Sequence, residues 1–228
     1  MGHKTFINPL LFLIPLLNIV NIKFEVYTKM DKVLAFGKWD CSHIKVDDPG
    51  VAGYINTNPM IVSKTGARYA GNKFYKSKIF IVERLINKLM VPGHRAKKHK
   101  ITSRQATGKG TTTYRLVEEA FTIIENKLKK NPVEVFVKAL ENAAPREEVI
   151  AIEYGGARYP KALECAPQRR VDLALRQMTQ STFQKAFNSK KGSAAALADE
   201  IIAAYTLQAT SAAISKKLEL ERQADAAR

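Results

Sequence analysis

Fourteen Lys and Arg residues lie between Lys64 and Arg115, and a single acid, Glu83, accompanies them, so this stretch carries thirteen of the chain's sixteen net positive charges. Cations at that density are chemistry for a polyanion, because each phosphate they neutralise releases condensed counterions. The set comprises Lys64, Arg68, Lys73, Lys76, Lys78, Arg84, Lys88, Arg95, Lys97, Lys98, Lys100, Arg104, Lys109 and Arg115. RNA is the partner it favours; a solvated basic arm with no dedicated ligand is the alternative. Tyr69, Phe74 and Tyr75 stand among these cations. Their rings suit stacking on unpaired bases while the charged groups take phosphates, although the same rings also suit packing onto a core.

Other reactive groups form no convincing site. Gly66 to Lys73 reads GARYAGNK, close to a phosphate-binding loop, but Asn72 stands where the lysine of that loop is required. His94 and His99 lack a second cysteine or a nearby carboxylate to complete a zinc set and read as exposed loop histidines. The acid pairs Glu118, Glu119 and Glu147, Glu148 lie beside helix ends, where the dipole and solvent account for them. No catalytic residue, metal or cofactor is expected, and the chain does not read as an enzyme. Cys41 and Cys165 are far apart without a CxxC pattern, which suits free thiols in a reducing, intracellular compartment.

The elements that must position the cations follow from periodicity. Val82, Leu85, Ile86 and Leu89 form one helical face from about Phe80, stopped by Pro92 and Gly93; a basic loop from His94 to Thr113 follows. A second helix carries Leu116, Val117, Ala120, Phe121, Ile124 and Leu128, with Thr112 or Thr113 as expected caps. A third opens at Asn131 and Pro132 and ends at Pro145. Val149–Tyr154 and Ala157–Ala166 flank Gly155 and Gly156, which predicts a hairpin with a two-residue turn, Glu153 opposite Arg158 and Ile152 opposite Tyr159. Tyr154, Arg158, Tyr159 and Lys161 suit a projecting ribbon that touches a partner. Helical pattern resumes at Pro167, where Arg169, Arg170 and Arg176 either grip phosphates or form a solvated face beside Asp172. Ser193 is expected to cap the next helix, and a charged helical tail follows.

The predicted fold is mainly α: a bundle of about six helices, a protruding β-hairpin between the third and fourth, and an extended basic N-terminal arm. Residues 30–78 form the loop-rich arm, and residues 79–228 the helical RNA-binding domain with its hairpin at 149–166. In residues 1–29 the apolar run PLLFLIPLLNIV is interrupted by Pro9 and Pro15 and is about half the length of a spanning helix. The expectation is a misassigned or disordered extension ahead of a start at Met30, with a hydrophobic anchor as the alternative; no membrane partner is expected.

VERLINKLM (82–90), ENAAPREEV (141–149), GGARYP (155–160), RRVDLALR (169–176), AFNS (186–189) and LADEIIAA (197–204) resemble, in order and spacing, the small-subunit ribosomal protein seven family. FGKWD (36–40) and GYIN (53–56) are similar to its longer archaeal and eukaryotic form, known in eukaryotes as small-subunit protein five, so the resemblance covers roughly residues 31–228. It implies a cytoplasmic structural protein of the small ribosomal subunit that binds the three-prime major domain of ribosomal RNA and nucleates head assembly. Arg84, Lys88, the basic loop, Arg169 and Arg170 would meet that RNA. Tyr154, Gly155, Gly156, Arg158 and Tyr159 would approach exit-site transfer RNA and departing messenger RNA. The tail, with Lys216, Lys217 and Arg222, would contact a platform neighbour, although Ser215 stands where a further base is common. Residues 1–29 have no counterpart in the resemblance, and the loop from Thr102 to Thr113 is longer than usual. The alternative is a free RNA-binding regulator or chaperone that uses the same surface off the ribosome.

Overall fold

The elements form where spacing and terminators allow them. In the computed structural model, residues 33–61, 64, 71–95, 98–99 and 106–228 are described. Among these the helices are α1 (Pro49–Ala52), α2 (Ile81–Leu89), α3 (Gly110–Leu128), α4 (Pro132–Ala143), α5 (Pro167–Ala186), α6 (Ser193–Tyr205) and α7 (Ala212–Ala226). Two short strands, β1 (His94–Arg95) and β2 (Lys98–His99), pair within the basic loop, where apolar periodicity predicts no element. The ribbon is β3 (Glu147–Tyr154) with β4 (Ala157–Glu164). The six predicted helices are α2 to α7, with the ribbon between the third and fourth of them. The single turn of α1, capped by Asp48, falls in a stretch whose turn formers predict loop.

Capping is correct at one expected position and displaced at two. Asn131 Oδ1 accepts from the Val133 amide at 3.0 Å, ahead of Pro132 at the first helical position. Thr112 and Thr113 do not cap α3, because the helix starts earlier, at Gly110; Thr113 Oγ1 instead donates to the carbonyls of Lys109 and Gly110. Ser193 is the first residue inside α6 and Gly192 holds the cap position.

One core joins the helices. Leu85 and Ile81 of α2, Phe121 and Ile124 of α3, Phe136 and Leu140 of α4, Leu175 and Met178 of α5, and Leu197 and Ile201 of α6 are fully buried in it. Each such side chain contributes about 1.5–3 kcal/mol of transfer free energy. The segment expected as an extended arm shares this core from residue 35 to 55. Ala35, Trp39, Cys41, Ile44, Val51 and Ile55 are buried there, and Trp39 and Phe36 meet Phe121 edge-on at 5.8 and 5.9 Å. It is a strap on the helices, and its irregular spacing of apolar residues hides that from a periodicity search.

The ribbon matches its predicted register, with Glu153 opposite Arg158, Ile152 opposite Tyr159 and Pro160 opposite Ala151. Gly155 and Gly156 have φ of 56° and 82°, the paired positive values of a type I′ turn. Its first strand begins at Glu147 and its second ends at Glu164, each two residues earlier than expected.

Candidate nucleic-acid interface

Asp172 organises the cations that α2 and α5 bring together. Lys76 Nζ lies 2.8 Å from Asp172 Oδ2, and Arg84 Nη2 lies 3.0 Å from Oδ1. Burial raises the Asp172 pKa, but the Lys76 hydrogen bond and the Arg84 charge outweigh it and hold the carboxyl below its ordinary value. Lys88 is half-buried, and its ammonium pKa is lowered by burial, then by Arg176, with Lys76 adding and Asp172 opposing. Asp172 thus serves Lys76, Arg84 and Lys88, and Arg176 adds a further positive charge beside Lys88. A local excess of this kind costs energy in the free protein and is relieved by an anionic ligand.

Within that group the side chains divide by exposure. Arg84 is only 2% exposed and also donates to the Tyr54 carbonyl at 2.9 Å. It is a strut for the strap, buried where the sequence reading expects a side chain that meets RNA. Arg170 is placed likewise: it is buried, pairs with Asp48 at 2.7 Å and donates to the Pro145 carbonyl at 3.1 Å. A Cβ at Gly50 would sit 2.7 Å from Arg170 Nη1, so a side chain there would make the guanidinium shift. Arg169 grips Glu148 through Nε and Nη2, both at 2.7 Å, which leaves it exposed but committed. Arg176 is exposed.

The remaining expected cations are distributed as follows. Lys64, Lys73, Lys78, Lys109 and Arg115 are exposed, with Lys78 5.7 Å from the centroid of the Tyr75 ring. Arg95 and Lys98 face each other in the β1–β2 register. Arg68, Lys97, Lys100 and Arg104 lie outside the described residues, as does the apolar run near the N-terminus. In the tail, Lys216 pairs with Glu219 at 2.8 Å and Lys217 donates to the Asn142 carbonyl at 2.9 Å, while Arg222 is exposed. At the ribbon tip Tyr154 is 81% and Tyr159 57% exposed, Lys161 is exposed, and Arg158 lies 3.5 Å from Glu153. Register puts Ile150, Ile152, Tyr154, Tyr159 and Leu163 on one face.

Sequence reasoning named Asp172 only as an acid beside the α5 arginines and read Asp48 only as a turn former, so it missed the long-range pairs both acids make with arginines. It also missed Lys38, Lys129 and Lys130, which line a groove of about 490 Å³ at the α3–α4 turn, where Asp40 and Glu125 balance them. Among the described residues no cluster of His, Cys, Asp or Glu has a metal-holding arrangement, and no helix is long and apolar enough to cross a membrane. Cys41 and Cys165 are buried free thiols, each pushed up to about 11, chiefly by burial.

A family model described as ribosomal protein S7p/S5e matches residues 53–228. The chain belongs to that family. The S7p/S5e family is structural, so the chain is a ribosomal protein and not an enzyme. It is 50% identical over 197 residues to "Small ribosomal subunit protein uS7" of Nanoarchaeum equitans, covering 86% of this chain and 100% of that one. The protein of the same name from Methanothrix thermoacetophila is 48% identical over 85% of this chain and 98% of its own. That of Archaeoglobus fulgidus is 46% identical over 89% and 98%. S7p/S5e membership fits the helices and ribbon described above, and the family match begins at residue 53, so most of the strap lies ahead of it.

Proposed function

We propose that this chain is a structural constituent of the small ribosomal subunit that binds the three-prime major domain of its RNA and nucleates assembly of the head. The supporting observation is the excess of cations around Asp172, where among the described residues Lys88 and Arg176 have no ion pair and stand on α2 and α5. Lys76 and the exposed Lys64, Lys73, Lys78 and Lys109 add to that surface in this reading. In this reading the ribbon points its Tyr154 and Tyr159 toward exit-site transfer RNA and departing messenger RNA. Lys216 and Arg222 face neighbouring ribosomal proteins.

The test is equilibrium binding to a head-domain RNA fragment across a salt series. Lys88→Ala with Arg176→Ala should lower the slope of log affinity against log salt by about one unit for each phosphate no longer neutralised. An unchanged slope would remove α2 and α5 from the interface. Sedimentation of the protein with small subunits separates this reading from that of a free regulator, which leaves most of the chain off the ribosome.

A further inference from the structure

Glu200 of α6 is a fully buried acid that RNA binding does not use. Its Oε2 accepts from Ser181 Oγ at 2.8 Å and from Lys185 Nζ at 2.5 Å, both on α5. Its Oε1 accepts from Ser211 Oγ at 2.8 Å and from the Ala213 amide at 3.2 Å, at the first turn of α7. Ser211 also caps α7 by accepting from the Ile214 amide. The carboxylate thus ties three helices together, and it sits at the positive end of the α7 dipole.

From that anchor α7 runs to the base of the ribbon. Glu221 Oε1 accepts from the Arg146 amide at 3.1 Å, one residue before β3, and Arg228 pairs with Glu147 inside it. Among the described helices, α7 is the one that packs substantially against both β3 and β4. Its own apolar hold is small, since only Ala213, Ile214 and Ala224 are buried. The position of α7 therefore leans on polar contacts, at its two ends and midway where Lys217 donates to the Asn142 carbonyl, and α7 shares the base of the ribbon with Arg169 of α5, which holds Glu148.

We propose that Glu200 is a positioning residue for the ribbon, acting through α7: it keys the last helix to α5 and α6, and that helix fixes the angle at which β3 and β4 leave the body. This goes beyond the RNA-binding reading and holds whatever ligand the tip meets.

The test uses the full chain with spin labels at Ala157→Cys and Glu119→Cys in a Cys41→Ala, Cys165→Ala background, and a second label pair within α3 and α4 as a control. Glu200→Gln cannot accept from both sets of donors. It should speed amide exchange in α7 about tenfold, as expected when hydrogen bonds to a charged group are removed, and broaden the ribbon distance distribution while leaving the control pair unchanged. Ser211→Ala, a milder change, should act in the same direction and keeps the test available if Glu200→Gln does not fold. Loosened α7 amides with an unmoved ribbon would overturn the proposal, and so would α7 amides that stay protected in both variants. RNA affinity measured on the same samples should stay within about twofold of the parent, since the cations around Asp172 are elsewhere; this separates a failure of the brace from a failure of the RNA reading.

Discussion

At the scale of single residues, the deciding contrast is between cations that are committed and cations that are available. Arg84 and Asp172 form a pair with one member buried, so Asp172→Ala strands a guanidinium in the core. The expected loss is about 2–3 kcal/mol by urea unfolding, below the ~3–5 of a wholly buried pair because Asp172 is partly solvated. The folded pKa of Asp172 is depressed, so its contribution is fully present above the unfolded value of about 3.9 and is lost as pH falls through the folded one. A stability profile that is flat on acidification below pH 4 would contradict this, with Asp48, likewise depressed, contributing in the same direction. Lys88 behaves oppositely: phosphate bound at the cluster should raise its pKa back toward 10.5, visible as a shifted NMR titration of its side chain on adding RNA. Neither pairing was legible beforehand. Arg84 and Asp172 are 88 positions apart and Arg170 and Asp48 are 122 apart, and charge counting treats all of them as surface.

At the scale of elements, the ribbon was the most readable part of the chain. A two-glycine turn between alternating strands leaves one register that satisfies the ladder, and that register is the one formed. Deleting residues 152–159 removes strand that is exposed throughout, so the melting temperature of the body and the salt slope of RNA binding should both stay unchanged, with any defect confined to translation assays. A fall of more than a few degrees in melting temperature would mean the ribbon carries weight in the core. Helix existence was equally readable from apolar spacing. Helix starts were less so, because the cap positions of α3 and α6 fall on Lys109 and Gly192, neither of which caps with a side chain, and the nearby hydroxyls lie inside the helices. The strap was illegible for the opposite reason. Trp39, Ile44 and Val51 sit at spacings with no period, and only the helices they meet make them core, α3 at Trp39 and α5 at the turn that carries Val51. Trp39→Ala should cost about 3–5 kcal/mol by unfolding, because it empties a ring-sized site and leaves Glu125 without its indole donor.

At the scale of the whole molecule, sixteen net charges repel one another, and RNA relieves what salt can only screen. Raising salt should therefore raise the melting temperature of the free protein while weakening its RNA complex, two effects of opposite sign from one cause. Movement of both in the same direction would argue against an electrostatic surface. The strap adds a constraint of time. Asp48 leaves the synthesising ribosome long before Arg170, and at roughly 5–20 residues per second the 122 intervening positions take about 6–24 s to make. The indole of Trp39 waits for its acceptor Glu125 on α3, 86 positions on, and Asp48 waits longer still, so this early portion of the polypeptide settles only after much later residues have been made, an order that vectorial synthesis dictates.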